Sequence, residues 1–283
     1  MSLEQKIFKK GSTTYYFSSK FFPKHVRQDV FKLYSFVRVA DDYVDQIPQN
    51  KKEFKILKTL WQDAADDKTF DTTHKTSDSL NVRVVKNMHE VSHKYSFDSK
   101  WVDAFLDSMQ ADLDKKTYAS LDGSLWYIYG SAEVIGLMMA KVMGLPEISM
   151  TYAALQGRAM QWINFIRDID EDNGLKRLYF PAEELATFGL KNLSKQTAEA
   201  NPKAFRDFMN FQLGRYHQWQ RQAEKGFEYI PKRLRIPLET AVDNYNWTAR
   251  KIANNPAVVY DKKIKPGKSR VVATGIKRAI SRS

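Results

Sequence analysis

Between two prolines, residues 23–48 read PKHVRQDVFKLYSFVRVADDYVDQIP. This stretch predicts a helix over residues 24–46, because its apolar side chains recur with a helical spacing. At about 100° per residue, one arc of that helix collects Val26, Val30, Leu33, Tyr34, Val37 and Val44. Asp41 and Asp45 fall inside the same arc, whereas the opposite side carries Lys24, Gln28, Lys32, Ser35 and Asp42. Two carboxylates one turn apart therefore face the predicted core.

These inward carboxylates need a positive partner. Like charges one turn apart repel each other, and a buried carboxylate without compensation is costly. Arg38 lies on the edge of the same arc and can neutralise one of the two charges. A divalent cation would neutralise both.

A second predicted helix, residues 149–172, carries a similar polar stripe. One face has Gln161, Asn164, Asp168 and Asp172, and the other has Leu155, Trp162, Ile163, Ile166 and Ile169. Taken alone, this stripe also fits an ordinary solvated helix face. However, it has no lysine in a chain that is rich in lysine.

The two stripes share the pattern Asp-x-x-x-Asp, in DDYVD (41–45) and DIDED (168–172). Incomplete sets of hard oxygen ligands suit Mg²⁺, which fills its other positions with water or phosphate oxygens. Arginines lie beside both patterns, at Arg38, Arg167 and Arg177, and their forked donors bind phosphate oxygens. Together the stripes predict metal-assisted departure of a diphosphate.

The rest of the chain predicts an all-α protein with one domain. Glycine and proline are scarce at 12 and 9 residues, which argues against a β protein. Further helical periodicity covers residues 51–66, 78–94, 98–116, 122–144, 202–229 and 231–254. Pro181, followed by Glu183 and Glu184, marks another helix start.

Composition narrows the class of partner. The 283 residues have a net charge of +12 and no cysteine, which favours an anionic partner and excludes disulfides and Cys-ligated metals. The opening residues resemble no signal or transit peptide, and Val134 to Met143 is too short to span a bilayer. Since no nucleic-acid motif is present, we expect no nucleic-acid partner. The expected location is cytoplasmic.

Four separated motifs resemble those of the squalene/phytoene synthase family. They are GSTTYYFSSKFFPKHVRQDVFKLYSFVRVADDYVD (11–45), DLDKKTY (112–118), YIYGSAEVIGLMM (127–139) and ALQGRAMQWINFIRDIDEDNGLKRLYFP (154–181). The likeness is greatest to the prokaryotic phytoene synthase branch, including archaeal members, whose end resembles residues 244–272. The resemblance implies an isoprenoid-synthase helical bundle with a central cavity, over residues 1–261, followed by a basic tail over 262–283.

The resemblance also implies roles for individual residues. The Mg²⁺ ligands would be Asp41, Asp45, Asn164, Asp168 and Asp172, and Mn²⁺ is an alternative ion. The positions that contact diphosphate would be Ser12, Thr14, Tyr34, Arg38, Arg167 and Arg177. Tyr127 and Gln161 would join the aspartates at the reacting centre, and Tyr15, Gly136 and Tyr245 would line the substrate pocket.

Simpler interpretations stand beside these roles. Tyr34 and Tyr127 also suit core tyrosines, and Ser12 and Thr14 suit helix caps. Asp112 and Tyr118 suit a hydrogen-bonded pair on the surface. Glu133 stands where the family usually has glycine, and a carboxylate there requires a partner.

By resemblance, the chain is a Mg²⁺-dependent prenyltransferase that joins two geranylgeranyl diphosphates head to head, through prephytoene diphosphate, without NADPH. The alternatives are a squalene or dehydrosqualene synthase that uses farnesyl diphosphate, and a non-catalytic assembly factor of the same fold. The tail after Asp261 has no acidic residue. It suits a solvated terminus, a peripheral contact with an anionic membrane, or a role near a phosphate site.

Overall fold

Helices dominate the computed structural model, which describes residues 1–66 and 79–281. The α-helices are α1 Leu3–Gly11, α2 Thr13–Ser19, α3 Lys24–Asp45, α4 Lys51–Asp66, α5 Leu80–Tyr95, α6 Ser99–Asp114, α7 Leu121–Ile128, α8 Val134–Val142, α9 Met150–Arg167, α10 Ile169–Gly174, α11 Ala182–Thr187, α12 Lys195–Ala200, α13 Pro202–Glu224, α14 Lys232–Asn254 and α15 Lys268–Ile280. Two short strands, β1 Thr117–Tyr118 and β2 Leu178–Pro181, pair in parallel. The all-α prediction is confirmed.

The helices surround a core that runs through the whole chain. Helix α3 packs against α1, α5 and α6, and α9 packs along α13. One cluster of buried apolar side chains extends from Phe8 in α1 to Val271 in α15. The described residues therefore form a single helical domain, as expected.

Two predicted helices are interrupted. The segment predicted over 149–172 ends at Asp168, whose φ of −101° and ψ of 15° leave the α-helical region, and α10 begins at Ile169. The segment predicted over 122–144 contains a π-helical turn at Tyr129–Glu133. This turn brings Gly130 so close to α6 that a Cβ atom would lie 2.1 Å from the Ala104 carbonyl oxygen.

The predicted solvent side of α3 is wrong at Ser35. Its side chain is fully buried, because α5 covers this side of the helix. The Ser35 hydroxyl donates to the Lys32 carbonyl oxygen at 2.7 Å, and the Asn87 side-chain amide of α5 lies 3.5 Å from it. A single inward arc is too narrow for a helix with neighbours on several sides.

Both ends of the chain contain helices that the periodicity did not predict. Ser2 and Gln5 form a capping box at the start of α1, and the Ser12 side chain accepts a hydrogen bond from the Tyr15 backbone N–H to cap α2. In the basic tail, α15 packs against α14 and α2, and Arg282 lies outside the described residues. Over the ranges 1–66 and 79–281, no helix has the length and apolar character to cross a bilayer.

Candidate active site

The two acidic segments line one polar cavity of about 850 Å³. The predicted site residues around it are Ser12, Thr14, Tyr15, Tyr34, Arg38, Asp41, Asp45, Tyr127, Gln161, Asn164, Arg167, Asp168, Asp172, Arg177 and Tyr245. They come from segments that are far apart in the sequence. The fold therefore brings the predicted residues together at one place, with Gly136 as the exception.

A second, mainly apolar cavity of about 280 Å³ lies next to the first. Gly136 lines this cavity, together with Phe22, Leu33, Met139 and Phe227. Both cavities share the wall residues Tyr15, Tyr34, Val37, Ser131, Gln161 and Asn164. This arrangement suits a molecule with a charged head and an apolar tail.

The first aspartate pair lies on an unbroken helical turn of α3. Arg38 Nη1 donates to Asp41 Oδ2 at 2.8 Å, and Arg38 also pairs with Asp42. Arg177 Nη1 donates to Asp45 Oδ1 at 2.5 Å. Burial and the neighbouring Asp45 charge raise the pKa of Asp41 to about 8, even though Arg38 opposes the shift. Arg38 is thus shared between Asp41 and Asp42, and it does not fully compensate the Asp41 carboxylate.

The second pair straddles the break between α9 and α10. Arg167 holds Asp168 with two hydrogen bonds, at 2.9 Å from Nε and 2.5 Å from Nη2, and Lys263 Nζ lies 3.2 Å from Asp168. Burial raises the pKa of Asp168, but these cations outweigh it and hold the pKa below its usual value. The pKa of Asp172 is raised by burial and by the charges of Asp168 and Asp45. The Asp45 contribution shows that the two pairs influence each other electrostatically.

Behind the first pair, a buried network anchors Arg177. Asp112 accepts hydrogen bonds from the hydroxyls of Tyr127 at 2.7 Å and Tyr179 at 2.6 Å. Arg177 donates to the carbonyl oxygens of Val44 and Asp112 at 2.6 and 3.3 Å. Burial raises the pKa of Asp112 to about 6 against the opposing charge of Arg177. The network thus fixes the arginine that pairs with Asp45.

The structure bears on three of the simpler interpretations. Asp112 and Tyr118 are each only 2% exposed, so the interpretation as a surface pair is wrong. Tyr127 is a buried tyrosine with a satisfied hydroxyl and also reaches the polar cavity. Ser12 likewise caps α2 and lines the cavity. Tyr127 and Ser12 each make a structural hydrogen bond and also line the cavity.

Polar and aromatic groups mark the boundary between the cavities. The Tyr15 hydroxyl donates to Met160 Sδ at 3.1 Å, and its ring lies 5.9 Å from that of Tyr245. Asn164 Nδ2 lies 3.4 Å from Gln161 Oε1. Among the described residues, the buried Asn164 Oδ1 atom has no hydrogen-bond partner. A buried carbonyl oxygen without a donor is suited to contact a cation.

The site fits a metal ion only as incomplete half-sites. Within the described ranges, no three acidic or histidine side chains come together as a ready metal cluster. Instead, the raised pKa values of Asp41 and Asp172 and the unpaired Asn164 Oδ1 show that these oxygen atoms lack sufficient positive partners within the chain. Mg²⁺ commonly binds through one or two carboxylates and takes its remaining oxygens from water and substrate phosphates.

The squalene/phytoene synthase family profile matches residues 8–274. The chain belongs to this family. A 15-cis-phytoene synthase from Enterobacter agglomerans is 28% identical over 254 residues, covering 86% of this chain and 82% of the relative. Another from Synechococcus elongatus is 25% identical over 273 residues, covering 92% and 85% of the two chains.

Solved structures of the squalene/phytoene synthase type share the fold. A dehydrosqualene synthase in complex with ligand has a TM-score of 0.82 at 21% identity, covering 98% of this chain and 94% of that one. A squalene synthase from Alicyclobacillus acidocaldarius has a TM-score of 0.75 at 17% identity, covering 90% and 93%. At these identities, the likeness establishes the helical architecture.

Glu133, which departs from the usual family pattern, has the partner that a buried carboxylate requires. Arg158 Nε donates to Glu133 Oε1 at 2.6 Å, and the Arg158 guanidinium lies 5.4 Å from the Trp219 ring centre. Glu133 lines neither of the two cavities. Its charge is therefore neutralised between α9 and the π turn, away from the cavity walls.

The sequence reasoning missed several residues of this family member's site. Lys10, Asp112, Tyr179, Lys263 and Lys265 also line the polar cavity. The sequence indicated the two tail lysines only in part, because a role near a phosphate site was one of three interpretations of the basic tail. Lys263 pairs with Asp168 and Glu171, whereas burial and the Lys263 charge lower the pKa of Lys265 to about 8. Tyr179 follows Arg177 by two residues, but nothing in its spacing indicated a contact with Asp112.

Proposed function

We propose that the protein is a phytoene synthase, which joins two geranylgeranyl diphosphates head to head and releases diphosphate. The observation that carries this proposal is that a cavity lined by acids and cations shares six wall residues with a mainly apolar cavity. The two curated relatives described above are 15-cis-phytoene synthases and support the same reaction.

The first task of the site is to bind and release diphosphate. Arg38, Arg167 and Arg177 border the polar cavity and keep their charge at every physiological pH. Lys263 and Lys265 add cationic donors from the segment before α15. Preorganised positive groups of this kind stabilise the charge that develops on a leaving diphosphate.

The chain's carboxylates supply the second part of this site. Asp41, Asp45, Asn164, Asp168 and Asp172 would hold Mg²⁺, or Mn²⁺ in its place. When bound, the ion acts as a Lewis acid that neutralises charge on the phosphate oxygens. Asp41 and Asp172, with their raised pKa values, gain most from such an ion.

The apolar cavity holds the prenyl tails and protects the cationic stage of the reaction. Breaking the carbon–oxygen bond of one substrate leaves diphosphate and an allylic cation. The double bond of the second substrate attacks this cation, and loss of a proton gives a cyclopropylcarbinyl diphosphate. Its ionisation, rearrangement and proton loss yield the linear hydrocarbon. Water would quench each cation, so an apolar wall with aromatic faces favours the productive path.

Product analysis tests the proposal. The purified protein is incubated with geranylgeranyl or farnesyl diphosphate, with Mg²⁺ or a chelator, and with or without NADPH. We expect a C40 hydrocarbon from geranylgeranyl diphosphate that requires the metal and is unaffected by NADPH. A preferred C30 product would instead identify a squalene or dehydrosqualene synthase. No turnover with either substrate would favour the non-catalytic assembly factor.

A further inference from the structure

We propose that the exposed face of α15 docks on an anionic lipid bilayer. Ala273, Ile276 and Ile280 occur at positions i, i+3 and i+7, so they form one stripe along the helix. Ile276 is 50% exposed and Ile280 is 71% exposed. Together with Lys277 and Ser281, the three residues line a shallow surface groove. We call this stripe the α15 face.

The opposite side of α15 is firmly attached to the domain. Val271 is fully buried, and Gly275 packs so closely on Phe21 that a Cβ atom would lie 2.1 Å from the ring. Arg278 donates to both Asp243 carboxylate oxygens at 2.6 Å. The helix therefore has a fixed rotation, which keeps Ile276 and Ile280 directed outward.

The charge around the α15 face selects an anionic partner. No acidic residue follows Asp261 in the sequence. Lys262, Lys268, Arg270 and Lys277 are all exposed on this segment. Lys268 and Arg270 also lie over the rings of Phe17 and Trp247, at 5.1 and 4.7 Å. Exposed isoleucines among basic side chains are typical of helices that lie in a membrane interface.

Other occupants fit the α15 face less well. Nucleic acid supplies negative charge but no hydrocarbon to receive Ile276 and Ile280. A second copy of this chain supplies apolar surface, but the net charge of +12 and the basic residues of this segment oppose the approach of two identical faces. A bilayer with anionic headgroups supplies both kinds of contact.

The position of α15 also gives docking a use. Helix α15 packs against α2, and α2 contributes Tyr15 to both cavities and Ser18 to the apolar one. The same region thus borders the membrane contact and the cavity walls. Under the proposed function, docking would bring the cavities near the phase where prenyl substrates and products dissolve. The docking itself does not depend on that function.

Vesicle sedimentation of the full chain tests this inference. Vesicles of phosphatidylcholine, with and without phosphatidylglycerol, are compared for the wild type, an Ile276→Ser/Ile280→Ser double variant and Lys277→Glu. Ile148→Ser is the matched control, because Ile148 is 64% exposed on a different part of the surface. Circular dichroism verifies that every variant keeps its helical content.

We expect the wild type to sediment with anionic vesicles, increasingly so at low salt. The double variant should lose about tenfold in affinity from the lost apolar burial, and Lys277→Glu at least about fivefold. Ile148→Ser should bind like the wild type. Equal binding to neutral vesicles, no binding at all, or full binding by the double variant would overturn the proposal. A molar mass that falls in the double variant without vesicles would also overturn it, in favour of a second copy.

Discussion

The two aspartate pairs share a sequence pattern but differ in their surroundings. Asp41 and Asp45 lie within one continuous helix, and the pKa of Asp41 is raised to about 8. Asp168 lies at a helix break, with Arg167 and Lys263 beside it, and its pKa is lowered. Asp168 is thus neutralised by the chain itself, whereas Asp41 depends more on what binds in the cavity. Identical spacing does not imply identical chemistry.

The largest expected effect is on catalysis by the first pair. Asp41→Ala should lower kcat by about 10²–10³, which is typical for loss of a group that stabilises transition-state charge. Asp42→Ala is the matched control, because the Asp42 side chain is next in the sequence and 47% exposed. The kcat of this variant should fall by less than about fivefold. Steady-state kinetics with retained helical circular dichroism make the comparison. Equal losses in both variants would remove the special status of Asp41.

The next prediction concerns stability without metal, where Asp168 and Asp41 should behave differently. Asp168→Asn leaves the buried Arg167 without its carboxylate and should cost about 3 kcal/mol in the free energy of unfolding. Asp41→Asn removes a carboxylate whose charge is disfavoured and should not destabilise the protein. Urea unfolding in a chelator at neutral pH measures both.

The pH dependence follows from the same shifts. A lowered pKa at Asp168 contributes stability that is present above the unfolded-state pKa and lost as pH falls through the folded one. The raised pKa at Asp41 contributes stability at low pH that is lost as pH rises toward about 8. Asp41→Asn should therefore make the free energy of unfolding depend less on pH, between the pKa of Asp41 in the unfolded chain and its pKa in the folded protein. An unchanged profile would contradict the assignment.

A smaller effect is expected from the network that supports the first pair. Tyr179→Phe removes the hydroxyl that donates to Asp112 and should cost about 1–2 kcal/mol in stability. Because Asp112 helps to hold Arg177, kcat should fall more than KM rises. Tyr118→Phe, in the adjacent buried ring, is the control and should leave kcat nearly unchanged. A rise in KM alone would argue against positioning of Arg177.

The smallest expected effect lies in the second pair. Lys263→Gln should weaken inorganic diphosphate binding by up to about fivefold, because a partly exposed charge contributes modestly. Lys262→Gln changes an exposed neighbour that does not line the cavity and should bind diphosphate normally. Isothermal titration calorimetry compares the two. Identical affinities would show that Lys263 serves only to neutralise Asp168 and Glu171.

The local sequence pattern predicted much of the helical fold and the grouping of the site. Helix α3 was predicted within one residue of its observed end, because its periodicity and flanking prolines agree. The same periodicity failed at Ser35, where a second neighbouring helix buries the side expected to face solvent. It also passed over the break at Asp168, since hydrophobic spacing does not record a single departure in backbone angles.

The missing site residues share another physical reason. Asp112, Tyr179 and Lys263 reach the cavity through contacts between distant segments, and their local patterns are those of ordinary helices, strands and tails. Helix α1 is a different case, because Ser2 and Gln5 form a capping box, a local signal that is independent of apolar periodicity.

The wall shared by the two cavities, with Tyr15 and Gln161 among its residues, has a consequence for turnover. Under the proposed function, it would orient the substrate with its charged head on the polar side and its tail on the apolar side. The hydrocarbon product of that proposed reaction has lost both diphosphates and would have no anchor on the polar side. The wall that would orient the substrate therefore contributes little to retaining the product. Product release would then depend on contacts with the apolar cavity and on transfer into a lipid phase.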